Sequence, residues 1–229
     1  DNLALNGTIT GHTSDPDNEI QLICFRRADE NKKDILAVNW QAHPKLDSTS
    51  NTTEGKAKRS MLSADYVGAT RDYVEANSDC LFAFYQGAAG NQNADSYIKS
   101  ENFSTDCKTY SQALGNHILD GMQTLKPIEG SDHKVTLTRT NYEGINDHTE
   151  DGKVADATKI REVWLATNNW NQAMAAAPDS GIQSPYHAGS IVSRSKKTTA
   201  TTVLELNAIR VGPLGFVTAP YEMFHDSGM

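Results

Sequence analysis

A chain of 229 residues with a formal net charge of -8 and 38% hydrophobic residues is long enough to bury a sizeable core. Its acidity argues against a nucleic-acid partner, which needs clustered Lys and Arg, and against docking on an anionic membrane through a basic face. No apolar run approaches the roughly 20 residues of a membrane span, and no signal peptide is visible at the N-terminus.

In chain order, Ile20 to Arg26 is apolar and β-branched and predicts a strand. A polar stretch, Ala28 to Asp34, predicts a turn, and Ile35 to Trp40 predicts a second strand that closes a hairpin. Thr49 to Lys58 reads as an exposed loop. Ser63 is the expected N-cap of a helix, with Asp65 in its first turn and Tyr66, Ala69, Tyr73 and Val74 at helical spacing. Cys80 to Gln86 is a near-continuous apolar run, as a buried strand would be, and opens into Gly87-Ala88-Ala89-Gly90. Helical periodicity returns from about Asp106 to Leu125 and is stopped by Pro127. Lys134 to Tyr142 predicts a strand, Asp156 to Ala176 one long helix, and Gly181 to Ser195 irregular structure. Val203 to Val211 and Leu214 to Ala219 predict two more strands, joined at Gly212-Pro213. Strands alternating with helices predict an α/β fold: one layered domain over residues 1–229, with a mixed β-sheet flanked by helices.

Cys24, Cys80 and Cys107 are too few for a disulfide scaffold, and their spacing is not that of a zinc knuckle. Cys24 and Cys80 fall in apolar runs and are expected as buried free thiols. Richness in Thr, Asn and Ser leans toward a secreted or cell-surface protein, with sequons at Asn6, Asn51 and Asn102. The chain starts at Asp1 without an initiator Met and stops at Met229, so it reads as a piece of a longer protein.

Several common chemistries lack their motif. Gly87-Ala88-Ala89-Gly90 is neither a phosphate loop nor a dinucleotide fingerprint, and no Gly-x-Ser-x-Gly or His-Glu-x-x-His occurs. Asp15, Asp17 and Glu19 lack the Gly and distal Glu of a calcium loop. Three predicted strand ends are more informative, because ligands of α/β sheets gather at the carboxyl ends of strands. His43, before Pro44, is the first; a metal or catalytic role stands beside a purely structural one. The second is the loop from Gly87 through Asn91 to Asn93, which reads as a pocket lining or as a tight turn of packed glycines. The third is Glu222, just after Pro220; its Glu-x-x-His spacing to His225 is too little for a di-iron centre.

The segments Asp15-Pro16, Val38-Asn39-Trp40-Gln41-Ala42-His43-Pro44, Ser63-Ala64-Asp65-Tyr66-Val67-Gly68, Gln86 to Asn91, Ile209 to Gly212 and Ala219 to Glu222 occur in that order. Together they resemble the N-terminal catalytic domain of the neutral/alkaline (non-lysosomal) ceramidase family and its bacterial relatives, over about residues 14 to 225. Residues 131–195 resemble nothing nameable. The resemblance implies a secreted hydrolase of an amide or related bond in a small-molecule or lipid-like substrate. It implies a zinc ion held by two His, one Glu and one Tyr. His43 matches the second zinc His and Glu222 the zinc Glu, while the first His and the Tyr have no counterpart in this chain. Asp65 then becomes an acceptor behind a ligand His, or simply a helix first-turn carboxylate favoured by the macrodipole. Asn93 stands where ceramidases carry a catalytic Ser; it can orient water or donate to an oxyanion but is no nucleophile. Tyr221 replaces the usual Gly before the Glu. These departures leave a second reading, a binding or surface module that keeps the fold without a complete metal site.

Overall fold

The computed structural model describes residues 15–46, 63–94, 107–129 and 134–224, and the backbone of 2–5 and 8–12. The predicted loop from Thr49 to Lys58, the three sequons and His225 lie outside the described residues. The chain forms an α/β fold and groups into two compact units, Asp1–Ser131 with Tyr221–Met229, and Asp132–Pro220, where the sequence reads as one domain.

The first unit opens with a hairpin, β1 (Asn2–Leu5) and β2 (Thr8–His12), which the sequence reading does not anticipate. Its main sheet is mixed, as expected, with order β3-β4-β5. Strand β3 (Gln21–Phe25) runs antiparallel to β4 (Asp34–Trp40), which runs parallel to β5 (Cys80–Gln86). Helix α1 (Asp65–Ala76) lies between β4 and β5 in the chain, and α2 (Cys107–Met122) follows β5.

Alternation along the strands explains the packing. Leu36 and Val38 of β4 and Phe82 of β5 point to one face and meet Tyr66 and Val74 of α1 and Tyr110, Leu114 and Ile118 of α2. Leu36, Val38, Tyr66 and Ile118 are 0% exposed. Burial of each aliphatic side chain stabilises the fold by roughly 1.5–3 kcal/mol. Phe25, Ile35, Leu81 and Tyr85 alternate to the opposite face and are exposed.

The second unit is an antiparallel ribbon interrupted by helices. Strands β6 (Val135–Ile145), β7 (Thr201–Val211) and β8 (Leu214–Thr218) pair in that order. Gly212 begins the β7–β8 turn at φ 56°, which a two-residue hairpin turn with Gly first and Pro second accommodates. At the base of the ribbon the buried Asn146 side chain bonds Thr199, Lys197 and Thr202.

Between β6 and β7 stand α3 (Val154–Thr167), α4 (Trp170–Ala175) and α5 (Pro185–Arg194). The single helix expected over Asp156 to Ala176 is therefore broken. Asn168 adopts φ 49° and ends α3, and the Asn169 side chain caps α4 by accepting from Gln172 N at 3.1 Å. The stretch expected to be irregular holds α5. Ser184 Oγ accepts from His187 N at 2.9 Å, and Pro185 opens the helix. Ala157, Ile160, Ala173, Ala188 and Ile191 form the core of this helical group. No helix among the described residues is long and apolar enough to cross a membrane.

Candidate functional site

Parallel pairing of β4 with β5 places two carboxyl ends side by side, and His43 follows one while the Gly87–Asn93 loop follows the other. The backbone knits them together. Gly87 N donates to Trp40 O at 3.0 Å, His43 N donates to Gln92 O at 2.9 Å, and His43 bridges Asn93 in parallel register. Gln86 Nε2 donates to Trp40 O at 3.1 Å and Ala42 O at 3.2 Å. From below, the buried Tyr66 hydroxyl donates to Ala42 O. Burial holds that phenol far above its ordinary pKa, so it stays a donor.

The ring of His43 is one-quarter exposed and both its nitrogens are engaged. Nδ1 lies 2.5 Å from the Ala89 carbonyl, and Nε2 lies 2.5 Å from Glu222 Oε1. A carbonyl only accepts, so Nδ1 carries the proton that bonds it. Nε2 then meets the Glu222 carboxylate, and either a ring proton on Nε2 or a cation between the two satisfies that pairing.

Glu222 reaches His43 by a route the sequence does not suggest. The sequence places it two residues beyond the end of a strand at Pro220. Strand β8 instead belongs to the antiparallel ribbon, and residues 222–224 lie outside any strand or helix. Gly90 N donates to Met223 O at 2.7 Å and ties this segment to the loop. A Cβ at Gly90 would lie 2.8 Å from Met223 O, 3.0 Å from Glu222 O and 2.5 Å from Phe224 Cδ1. Gly87 is similarly confined, its would-be Cβ 3.0 Å from both Asn39 Oδ1 and Gln41 Cγ. Close backbone approach makes both positions glycine.

The remaining predicted residues fall around this pair. Asn93 is exposed beside His43, and Asn91 is half-buried in the loop. Asp65 supports the site from the side. Its Oδ1 accepts from Leu46 N at 3.0 Å and Tyr66 N at 2.7 Å. It fixes the chain just beyond His43, and the acceptor behind the His43 ring is the Ala89 carbonyl. Helix α1 begins at Asp65 with Ala64 in the capping position, not Ser63; Ser63 Oγ accepts from Asp65 N at 3.0 Å. Asp65 itself sits at φ 51°, a left-handed conformation that costs a non-glycine residue roughly 1–2 kcal/mol.

Sequence reasoning misses a second group. Cys24 of β3, Asp34 of β4 and Cys80 of β5 bring one donor atom each within 4.8 Å of one another, a set that can hold a metal ion. Arg27 N donates to Asp34 Oδ1 at 2.9 Å and Arg26 Nη1 to Oδ2 at 2.8 Å. The Arg27 amide, then the charges of Arg26 and Arg27, lower the Asp34 carboxyl against the opposing effect of burial. Burial pushes the Cys80 thiol up, and the neighbouring Cys24 and Asp34 add to the rise. No linear motif announces this group, because its members come from three strands. Among the described residues it is the one cluster of at least three His, Cys, Asp or Glu donors; His43 and Glu222 gather no third.

In comparisons with family models, with curated proteins and with solved structures, nothing matches this chain.

Proposed function

We propose that this chain carries part of a zinc-dependent hydrolase site of the neutral ceramidase type, acting on an amide or related bond. The observation that carries the reading is the 2.5 Å approach of His43 Nε2 to Glu222 Oε1. An imidazole nitrogen and a carboxylate oxygen suit zinc, and a His ring whose other N–H is held by a backbone carbonyl is the usual way a metal ligand is oriented. The donor set therefore fits zinc as two of its ligands, His43 and Glu222. When bound, zinc lowers the pKa of a coordinated water to about 7. Around it, Ala89 O would orient the His43 ring, Gly87 and Gly90 would let the backbone approach closely, and the Asn93 amide would steady a substrate carbonyl or a water. Export from the cell belongs to the same reading, as does a small-molecule or lipid-like substrate.

A second reading has its own support. With two donors converging among the described residues, and Asn93 in place of a nucleophile, the same cradle suits a non-catalytic binding module. Metal content and hydrolysis of fluorogenic N-acyl amides separate the two. The hydrolase reading expects turnover that needs zinc and is lost in His43→Ala and Glu222→Ala. Turnover unaffected by both substitutions, or no turnover from zinc-loaded protein, rejects it, and the latter leaves the binding module.

A further inference from the structure

Cys24, Asp34 and Cys80 lie at the other end of the sheet from His43. Asp34 and Cys80 are the first residues of β4 and β5 and face each other across the parallel ladder. Cys24 pairs with Leu36, two residues along β4 from Asp34, so all three side chains alternate to the same face.

Strand β4 separates the two cysteines. Neighbouring strands are about 4.8 Å apart, so the Cα atoms of Cys24 and Cys80, on the two strands flanking β4, are at least about 9 Å apart. A disulfide requires Cα atoms within about 7 Å. The sulfurs nevertheless converge over β4, within 4.8 Å of each other and of the Asp34 carboxylate. That geometry is wrong for a covalent bridge and close to right for a shared ion. Tetrahedral zinc with bonds of about 2.3 Å holds its sulfurs about 3.8 Å apart. Small side-chain rotations therefore suffice to close the site.

Donor chemistry narrows the ion. Two sulfurs and one carboxylate select thiophilic divalent ions over magnesium or calcium, which take oxygen donors. Asp34 keeps a lone pair on each oxygen after its bonds from Arg26 and Arg27. Those arginines also offset the negative charge that the site gathers. Asp34 and Cys80 are only 7% and 4% exposed and Cys24 is half-buried, so most of the site is shielded from bulk water.

We propose that Cys24, Asp34 and Cys80 form a metal site for a thiophilic divalent cation, zinc or cadmium, that clamps β3, β4 and β5 together. It stands apart from any chemistry at His43. Titration with cobalt(II) under reducing conditions tests it, because only sulfur ligands give a thiolate-to-cobalt charge-transfer band. One equivalent should develop the band in the wild type, Cys107→Ser and His43→Ala proteins. Cys24→Ser and Cys80→Ser should abolish it, and Asp34→Asn should weaken binding at least tenfold. Absence of the band from wild type, or its survival in both cysteine variants, overturns the proposal. Should a cysteine variant fail to fold, alkylation of the wild type decides. Cadmium should protect Cys24 and Cys80 and leave the Cys107 rate unchanged; equal labelling of Cys24 and Cys80 with and without cadmium overturns it. Loss of the hydrolase reading would leave each of these results unchanged.

Discussion

Gly90 donates its backbone N–H to the carbonyl of Met223 at 2.7 Å, and this bond sets Glu222 against His43. Position 90 has no room for a side chain, because a Cβ there would press on Met223 O, Glu222 O and the Phe224 ring. Gly90→Ala should therefore push residues 222–224 away from the loop. We expect a stability loss of about 1–3 kcal/mol, as for overpacking. The response of the His43 ring to zinc should weaken at least tenfold. Urea unfolding and a zinc titration followed by histidine NMR measure the two effects; an unchanged titration would show that Gly90 does not govern the pair.

Asp65 combines a strained backbone with two backbone N–H bonds, to Leu46 and Tyr66. Asparagine tolerates the left-handed conformation and keeps an acceptor oxygen. Asp65→Asn should therefore stay within about 0.5 kcal/mol of wild type, whereas Asp65→Ala should lose about 2–3 kcal/mol. Denaturant midpoints at constant slope compare them. Equal losses in both variants would mean that the carboxylate charge, not the acceptor geometry, is what matters.

The helical group of the second unit should be acid-sensitive through Glu150. Glu150 Oε2 accepts from His187 Nε2 at 2.9 Å and Arg194 Nη2 at 2.7 Å, while Oε1 accepts from Lys153 Nζ at 3.1 Å. These bonds, His187 first and Lys153 next, bring the Glu150 carboxyl down to about 2. A depressed folded-state pKa means that the unfolded chain binds the proton first. The stabilisation is thus complete above the ordinary Glu value of about 4.3 and lost as pH falls toward about 2. Wild type should exceed Glu150→Gln in stability at neutral pH, and the difference should vanish over that window. Unfolding followed by Trp164 and Trp170 fluorescence checks it; a difference that persists at the lowest pH contradicts the assignment.

Period and punctuation made much of the first unit legible. The apolar runs at Ile35 and Cys80 are the two parallel strands, and His43 and the Gly87 loop sit at their carboxyl ends as the sequence predicts. Where short polar residues compete with the helix, legibility fails. Asn168 and Asn169 split one expected helix into two, and Ser184-Pro185 starts another whose apolar stripe, Pro185, Ala188 and Ile191, is short. The capping serine followed by proline was a usable signal there. Two other features have no local signature. The route of Glu222 depends on a glycine amide more than a hundred residues earlier in the chain, and the Cys24–Asp34–Cys80 cluster depends on strand register.

We propose above all that His43 and Glu222 share a metal ion. Long-range proton–nitrogen correlation of the histidine rings, with zinc added in steps, reads this most directly. The His43 signals are assigned by their loss in His43→Ala. Nδ1 should keep its bond to the Ala89 carbonyl, and Nε2 should shift to saturation with zinc and fail to do so in Glu222→Ala. A His43 Nε2 signal that ignores zinc in the wild type, or responds equally without Glu222, would contradict it.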